Sequence, residues 1–190
     1  MSADGRSPTL DIIRADVRAS IAVKQVLLAD DALLEQLAQL AEACLAALKA
    51  GGKVIFAGNG GSFADAQHLS AEFTSRFMFD RAPLASLALG TNNSAISAIG
   101  NDYGYELVFA RELQGIARPG DIFVPISTSG NSANILAAVK MANELGISTV
   151  AWTGSSGGQL KALCECICMP SQETARIQEC HILIGHILCG

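Results

Sequence analysis

The sequence is short of charge, of histidine and of long apolar runs, and each shortage excludes something. No apolar run reaches the ~18 residues a membrane-crossing helix needs, so a membrane protein is not expected. Charged residues make up only 16% of the chain and sum to −5, which argues against nucleic acid as the main partner. The opening, MSADGRSPTLDIIRADVR, is polar and carries charges throughout, so no signal peptide is expected. The six cysteines contain no C-x2-C pair. Cys164, Cys166 and Cys168 alternate with Glu165 and Ile167, a period that suits one face of a strand and not a zinc site. They are expected to pack as reduced core residues, which points to a cytoplasmic protein.

Nucleotide signatures are missing too. Gly58 and Gly60 before a helix imitate the start of a dinucleotide fingerprint. However, Phe63 stands where Gly or Ala belongs, and no acidic residue closes the next strand at Leu89-Gly90. No nucleotide cofactor is expected.

What is abundant is apolar surface. Half of the 190 residues are hydrophobic and the mean hydropathy is +0.34. A lone domain of this size has little use for that excess, so part of it is expected between subunits. Residues 8–50 read as two helices. The first carries Leu10, Ile13, Val17, Ile21, Val23 and Leu27, and the second carries Leu33, Leu37, Leu40, Cys44 and Leu48. Asp30-Asp31 stands between them and Gly51-Gly52 ends the pair. The segment 1–50 is expected to serve oligomerisation, with the first helix against a partner subunit.

From residue 53 strands and helices alternate. Strands are expected at 53–58, 84–90, 121–127, 147–153 and 164–169. Helices are expected at 62–79, 93–99, 105–117, 131–145, 157–163 and from 174 to the end. Fully apolar strands in such alternation predict a three-layer α/β/α sandwich around a five-stranded parallel sheet over 51–190. Ligands of such sheets bind beyond the C-terminal strand ends. Three of those ends carry glycine and hydroxyl clusters: GNGGS (58–62), STSGNS (127–132) and TGSSGG (153–158).

The centre of this pattern is IFVPISTSGNSAN, residues 122–134. It reads as a buried strand, a tight turn and a helix start, and a helix N-terminus attracts anions. Ser127, Thr128, Ser129 and Ser132 add hydroxyl donors, and Gly130 admits a ligand close to the backbone. No G-K-[ST] is present, so the turn is an anion cradle and not a P-loop.

The three histidines fall on two helices. His68 precedes Glu72 by four residues, which puts both on one face. Gln178 and His186 lie eight apart and return to within about 80° of each other. His186 sits in the apolar run ILIGHIL, where a histidine is ordinarily a hydrogen-bonded core residue. The i, i+4 pair is equally an ordinary surface contact. It is the joint pattern, with an anion cradle at the strand ends, that points to chemistry.

AGNGGSFADAQHLSAEFTSRF, AIGNDYGYE, ISTSGNSANILAA, Thr153-Gly154 with Gly157-Gly158, and RIQECHILIGHI together resemble the SIS domain proteins, and among them the phosphoheptose isomerases. The resemblance covers essentially the whole chain. It implies a flavodoxin-like SIS fold preceded by N-terminal helices. The implied activity converts sedoheptulose 7-phosphate into D-glycero-D-manno-heptose 7-phosphate through an enediol, at the head of bacterial heptose synthesis. Phosphate would sit on Ser127, Thr128, Ser129 and Ser132. Asn59, Gly60, Gly61, Asn101, Asp102, Glu72 and Gln178 would line the sugar. Glu72 and His186 would be the acid/base pair, and His68, Glu72, Gln178 and His186 would hold one zinc ion per subunit. A homotetramer with sites at its subunit interfaces is implied as well. The loop 171–175, SQETA, departs from the pattern, where relatives often carry Pro or an acidic residue. The rival within the fold is a non-catalytic SIS protein that binds the replication initiator. That resemblance lacks the acid/base pair, and both Glu72 and His186 are present here.

Overall fold

The computed structural model describes residues 7–190. The first six residues of the segment read as an oligomerisation unit lie outside them. Five parallel strands form the sheet: β1 (Val54–Gly58), β2 (Ser86–Ala88), β3 (Ile122–Ile126), β4 (Ser148–Thr153) and β5 (Glu165–Cys168). Their order is β2-β1-β3-β4-β5. β1 pairs Val54 with Ser86 on one side and with Ile122 on the other. The chain leaves β1 in one direction and returns at β3 to build the other. The loops beyond β1 and β3 therefore part company and open a crevice between them.

Side chains alternate across a strand, so each strand feeds both faces. Val54, Phe56, Val124, Ile126, Trp152 and Ile167 point to one face. There they meet α2 (Asp31–Lys49), α3 (Gly61–Thr74) and α7 (Thr174–Cys189). Ile55, Ala57, Phe123 and Ala151 point to the other. That face is covered by α5 (Val108–Ile116) and α6 (Ala133–Glu144), with α4 (Asn93–Tyr103) at the margin. Phe56, Phe123 and Trp152 are wholly buried, each contributing about 1.5–3 kcal/mol of apolar burial. Asp121 pins the starts of β1 and β3 together, accepting from the Lys53 and Arg118 backbone N–H groups at 3.0 and 2.7 Å. Lys53 Nζ adds an ion pair to it at 2.6 Å.

α1 (Pro8–Leu28) lies outside this sandwich. Asp30 caps α2 by accepting from the Leu33 N–H at 3.0 Å. Of the α1 stripe, Leu27 is buried, while Leu10, Ile13, Val17 and Ile21 remain exposed. Its polar side is tied to α7: Ser20 Oγ donates to Glu179 Oε2 at 2.5 Å, and the Arg176 guanidinium donates to the Asp16 carbonyl at 2.9 Å.

Four boundaries differ from expectation. The helix expected over 62–79 ends at Thr74, because the Leu84 N–H takes the Phe73 carbonyl at 2.9 Å and Arg81 takes that of Glu72 at 3.2 Å. These bonds satisfy the orphan carbonyls of a helix C-terminus. The strand expected over 84–90 shrinks to three residues at the sheet edge. The helix expected over 93–99 runs on to Tyr103, and 105–117 divides into a 3-10 turn (Tyr105–Leu107) and α5. The three alternating cysteines are free thiols but only half-buried, because β5 is an edge strand; Ile167 and Met169 supply the core there.

Candidate active site

Three helices begin at the crevice, and no side chain caps any of them. Gly60, at φ +56° and ψ −121°, starts α3 without a cap. Ser132 precedes α6, but its Oγ is paired with Ser127 Oγ at 3.1 Å and not with its own helix. Glu173 precedes α7, again with no side-chain cap. Gly61, Ser62, Ser132 and Thr174 line one pocket of about 290 Å³ with Ser127, Thr128 and Gln178. Each uncapped N-terminus presents unpaired N–H groups and the positive end of a helix dipole. Converging at one pocket, they favour an anion there without help from a lysine or arginine.

The turn that closes this pocket is braced from behind. Gly130 adopts φ +66° and lies against Gly157, where any side chain would strike the Gly157 carbonyl. The Gly154 N–H donates to the Thr128 carbonyl at 3.0 Å, and the Gln159 N–H donates to Asn131 Oδ1 at 3.0 Å. Asn59 joins the loop after β1 to α6 through Asn134, and the Tyr105 hydroxyl donates to Asn59 Oδ1 at 3.4 Å. Ser129 turns the other way. Its Oγ accepts from the Asn131 N–H at 3.2 Å, and it lines an adjoining depression with Ser155 and Ser171.

From the pocket α3 and α7 run side by side in the same direction. Gly61 faces Gln178, and Gly185 packs on Leu69 so closely that a Cβ there would stand 2.6 Å from the Leu69 methyl groups. That contact brings His68 and His186 together, Nε2 to Nε2, at 2.9 Å. Glu72 Oε1 lies 3.6 Å from His68 Nε2. One imidazole in this pair must donate and the other accept, so a proton stands between them. Phe77, just beyond α3, stacks on His186 with ring centroids 5.3 Å apart and 17° between planes. Arg81 ties the end of α7 to that of α3 through the Cys189 and Glu72 carbonyls.

The cluster lies some two helical turns from the pocket, on the order of 11 Å at 1.5 Å per residue. The His68 side chain is 47% exposed and that of Glu72 21% exposed. Gln178 stays at the pocket end, over Gly61. Asn101 and Asp102 lie apart, hydrogen-bonded to each other at 2.8 Å in a shallow depression on α4. A further concavity, of about 200 Å³, shares Asn59 and Gly60 with the pocket and Asn93 with that depression, so the three run on from one another.

The histidine in a core role is His181, wholly buried, with Nε2 3.2 Å from the Thr153 carbonyl oxygen. Sequence reasoning also passed over Asp65, Phe77 and Arg81. Asp65 Oδ2 is buried with no partner among the described residues. Burial raises its carboxyl pKa, against the pull of His68 and His186. An acidic residue three before His68 on one helix was the available signal for it.

Among the described residues no three His, Cys, Asp or Glu side chains form a preassembled metal cage. The two imidazoles bind each other instead. Two Nε2 atoms with a carboxylate at hand are nonetheless the nitrogen and oxygen donors zinc takes; Gln178, the remaining expected ligand, stands about two helical turns away over Gly61.

A β2-β1-β3-β4-β5 sheet with this strand-end cradle is an SIS domain, and the SIS domain family model matches residues 21–154. A phosphoheptose isomerase of Aneurinibacillus thermoaerophilus is 53% identical over 181 residues, covering 95% of this chain and 91% of its own length. The solved phosphoheptose isomerase of Neisseria gonorrhoeae superposes with a TM-score of 0.88 at 43% identity, over 95% of this chain and 96% of its own. That of Francisella tularensis gives 0.90 at 38% identity, over 96% and 97%. The chain belongs to the phosphoheptose isomerase family of SIS domain proteins.

Proposed function

We propose that this chain is a ketose–aldose isomerase that converts sedoheptulose 7-phosphate into D-glycero-D-manno-heptose 7-phosphate, the first step of bacterial heptose synthesis. One observation carries the reading: a cradle of uncapped helix N-termini is joined by α3 and α7 to an imidazole–carboxylate cluster about two turns away. A phosphate at one end and a reacting carbonyl at the other is the outline of a long sugar phosphate. Its relatives' names agree in substrate class.

In the proposed reaction the phosphate rests on the N-termini of α3, α6 and α7, with Ser127, Thr128 and Ser132 as donors and Ser129 bracing the turn. Asn59, Gly60, Gly61 and Gln178 position the chain of hydroxyls. Glu72 removes a proton from C1, the electrons pass to form the C1–C2 double bond, and the carbonyl oxygen on C2 takes a proton. The resulting enediol gives up the proton on O1 and receives one at C2, which leaves the aldehyde at C1. His186 delivers and recovers the oxygen-bound protons. When no metal is held, the Nε2 contact with His68 gives that proton a partner. His68, Glu72, Gln178 and His186 would hold a zinc ion, which when bound supplies Lewis-acid stabilisation of the developing oxyanion.

The exposed stripe Leu10, Ile13, Val17 and Ile21 on α1 supports assembly into a homotetramer. Within that assembly Asn101 and Asp102 would complete the sugar site, at a subunit interface. Six free thiols suit the reducing cytoplasm.

The test is turnover of sedoheptulose 7-phosphate by the purified protein, with and without a chelator. Loss to the chelator and recovery with zinc supports both the activity and the metal. Activity indifferent to the chelator removes the zinc. No turnover under any condition removes the enzyme and favours the initiator-binding alternative.

A further inference from the structure

His181 takes no part in the cluster at the end of α3. It lies on α7 between Gln178 and His186, and its Nε2 faces the Thr153 carbonyl at the end of β4, 3.2 Å away. A carbonyl only accepts, so Nε2 carries the proton and donates, leaving Nδ1 as the bare acceptor. Nδ1 is buried and unpartnered among the described residues, as is the indole N–H of Trp152, whose ring centroid lies 6.1 Å from that of His181. Burial holds the imidazole neutral, with the pKa pulled down to about 4 against the Thr153 hydrogen bond.

The peptide group that His181 grips is used at both ends. Its carbonyl, from Thr153, accepts from His181 and also from the Met169 N–H at 2.9 Å. Its N–H, from Gly154, donates to the Thr128 carbonyl at 3.0 Å, in the turn that walls the anion pocket. One peptide unit thus holds α7 by its oxygen and the phosphate turn by its hydrogen.

Stability alone does not call for a histidine here. A leucine of similar size would leave no unpaired Nδ1, and the Thr153 carbonyl would keep Met169 as its donor. What leucine cannot do is fix the rotation and depth of α7 against the strand end.

We propose that His181 is a positioning residue for the isomerisation, setting where Gln178 and His186 stand relative to the phosphate turn through the Thr153–Gly154 peptide. It touches no substrate and acts through His186, so the inference rests on the acid/base reading of that residue.

The experiment compares the purified full chain with its His181→Leu, His181→Gln and His181→Asn variants. It records kcat and KM for sedoheptulose 7-phosphate, the melting temperature, and the emission of Trp152, the only tryptophan of the chain. His181→Leu is expected to melt near the wild type with native emission, while kcat falls about tenfold or more, as misplaced catalytic groups do. KM is expected to change less than kcat, because Ser127, Thr128 and Ser132 keep their places in the anion pocket while Gln178 and His186 shift. His181→Gln, whose amide N–H reaches the carbonyl, is expected to recover most of the rate; His181→Asn, one methylene shorter, is not. Wild-type kcat in a folded His181→Leu would overturn the proposal. So would losses of kcat that track melting temperature across all three variants. If His181→Leu does not fold, equal rates in the Gln and Asn variants overturn it, and a Gln-over-Asn difference sustains it. His186→Asn is assayed alongside. If it keeps full turnover, the acid/base reading falls and the proposal with it; if it is dead and His181→Leu is fully active, only the positioning role falls.

Discussion

Asn59 and Asn134 exchange two hydrogen bonds, each 2.9 Å long, between the loop after β1 and the first turn of α6. This reciprocal amide pair closes one side of the anion pocket and locks the two strand ends whose divergence creates it. Asn134 is 4% exposed, so its partner cannot be replaced by water at low cost.

Asn134→Asp keeps the acceptor for Asn59 Nδ2 and deletes the donor for Asn59 Oδ1. It also places a negative charge beside the anion pocket. The expected result is a loss of about 1–3 kcal/mol of stability and a raised KM for the sugar phosphate. A denaturant melt and steady-state kinetics read the two effects. Unchanged KM would separate this pair from the phosphate site.

Glu72→Gln retains shape and removes the base. Turnover is expected to fall by about 100-fold or more, while calorimetric titration still detects sugar-phosphate binding through the distant cradle. Retained turnover would remove Glu72 as the proton acceptor.

Gly185→Ala tests the approach of α3 to α7. Overpacking against Leu69 costs about 1–3 kcal/mol, and the gain in helix propensity returns about 1 kcal/mol. The net cost is about 0–2 kcal/mol, and the helices are pushed apart where His68 meets His186. A kcat at least about tenfold lower with a melting temperature lowered by no more than about 8 °C is the expected pair of results. Wild-type kcat would show that the spacing of the imidazoles does not matter.

Acid stability follows from His181. Its pKa falls from 6.5 to about 4 on folding because burial disfavours the charged ring. Between those values the unfolded chain binds the extra proton, so stability rises with pH and is lost on acidification from about 6.5 down to about 4. The loss is on the order of 3 kcal/mol at 1.36 kcal/mol per unit. Asp65 acts in the opposite sense, because its raised pKa makes protonation favourable in the fold. Comparing melts of the wild type and His181→Leu across that range isolates the histidine; identical slopes would contradict this account.

The sheet was legible because buried parallel strands are written as unbroken apolar runs, and two of its glycine-rich ends marked the loops that line the pocket. The cradle was legible for the same reason, from STSGNS after a five-residue apolar strand. Helix ends were less so. Nothing in HLSAEFTSRF announces a stop at Thr74, since the stop is made by Leu84 and Arg81 reaching back from an irregular segment. The meeting of His68 with His186 was not readable from spacing, because it depends on Gly185 letting two distant helices touch. The role of His181 was likewise hidden, because only the turn of α7 decides that it enters the core.

β2 has three residues and β5 four, and these are the two edges of the sheet. An edge that short offers a neighbouring backbone almost no template for strand addition. Crowded or partly unfolded copies of this chain therefore gain little by zipping sheet to sheet. In a chain this apolar, the brevity of both sheet edges limits what strand addition can gain.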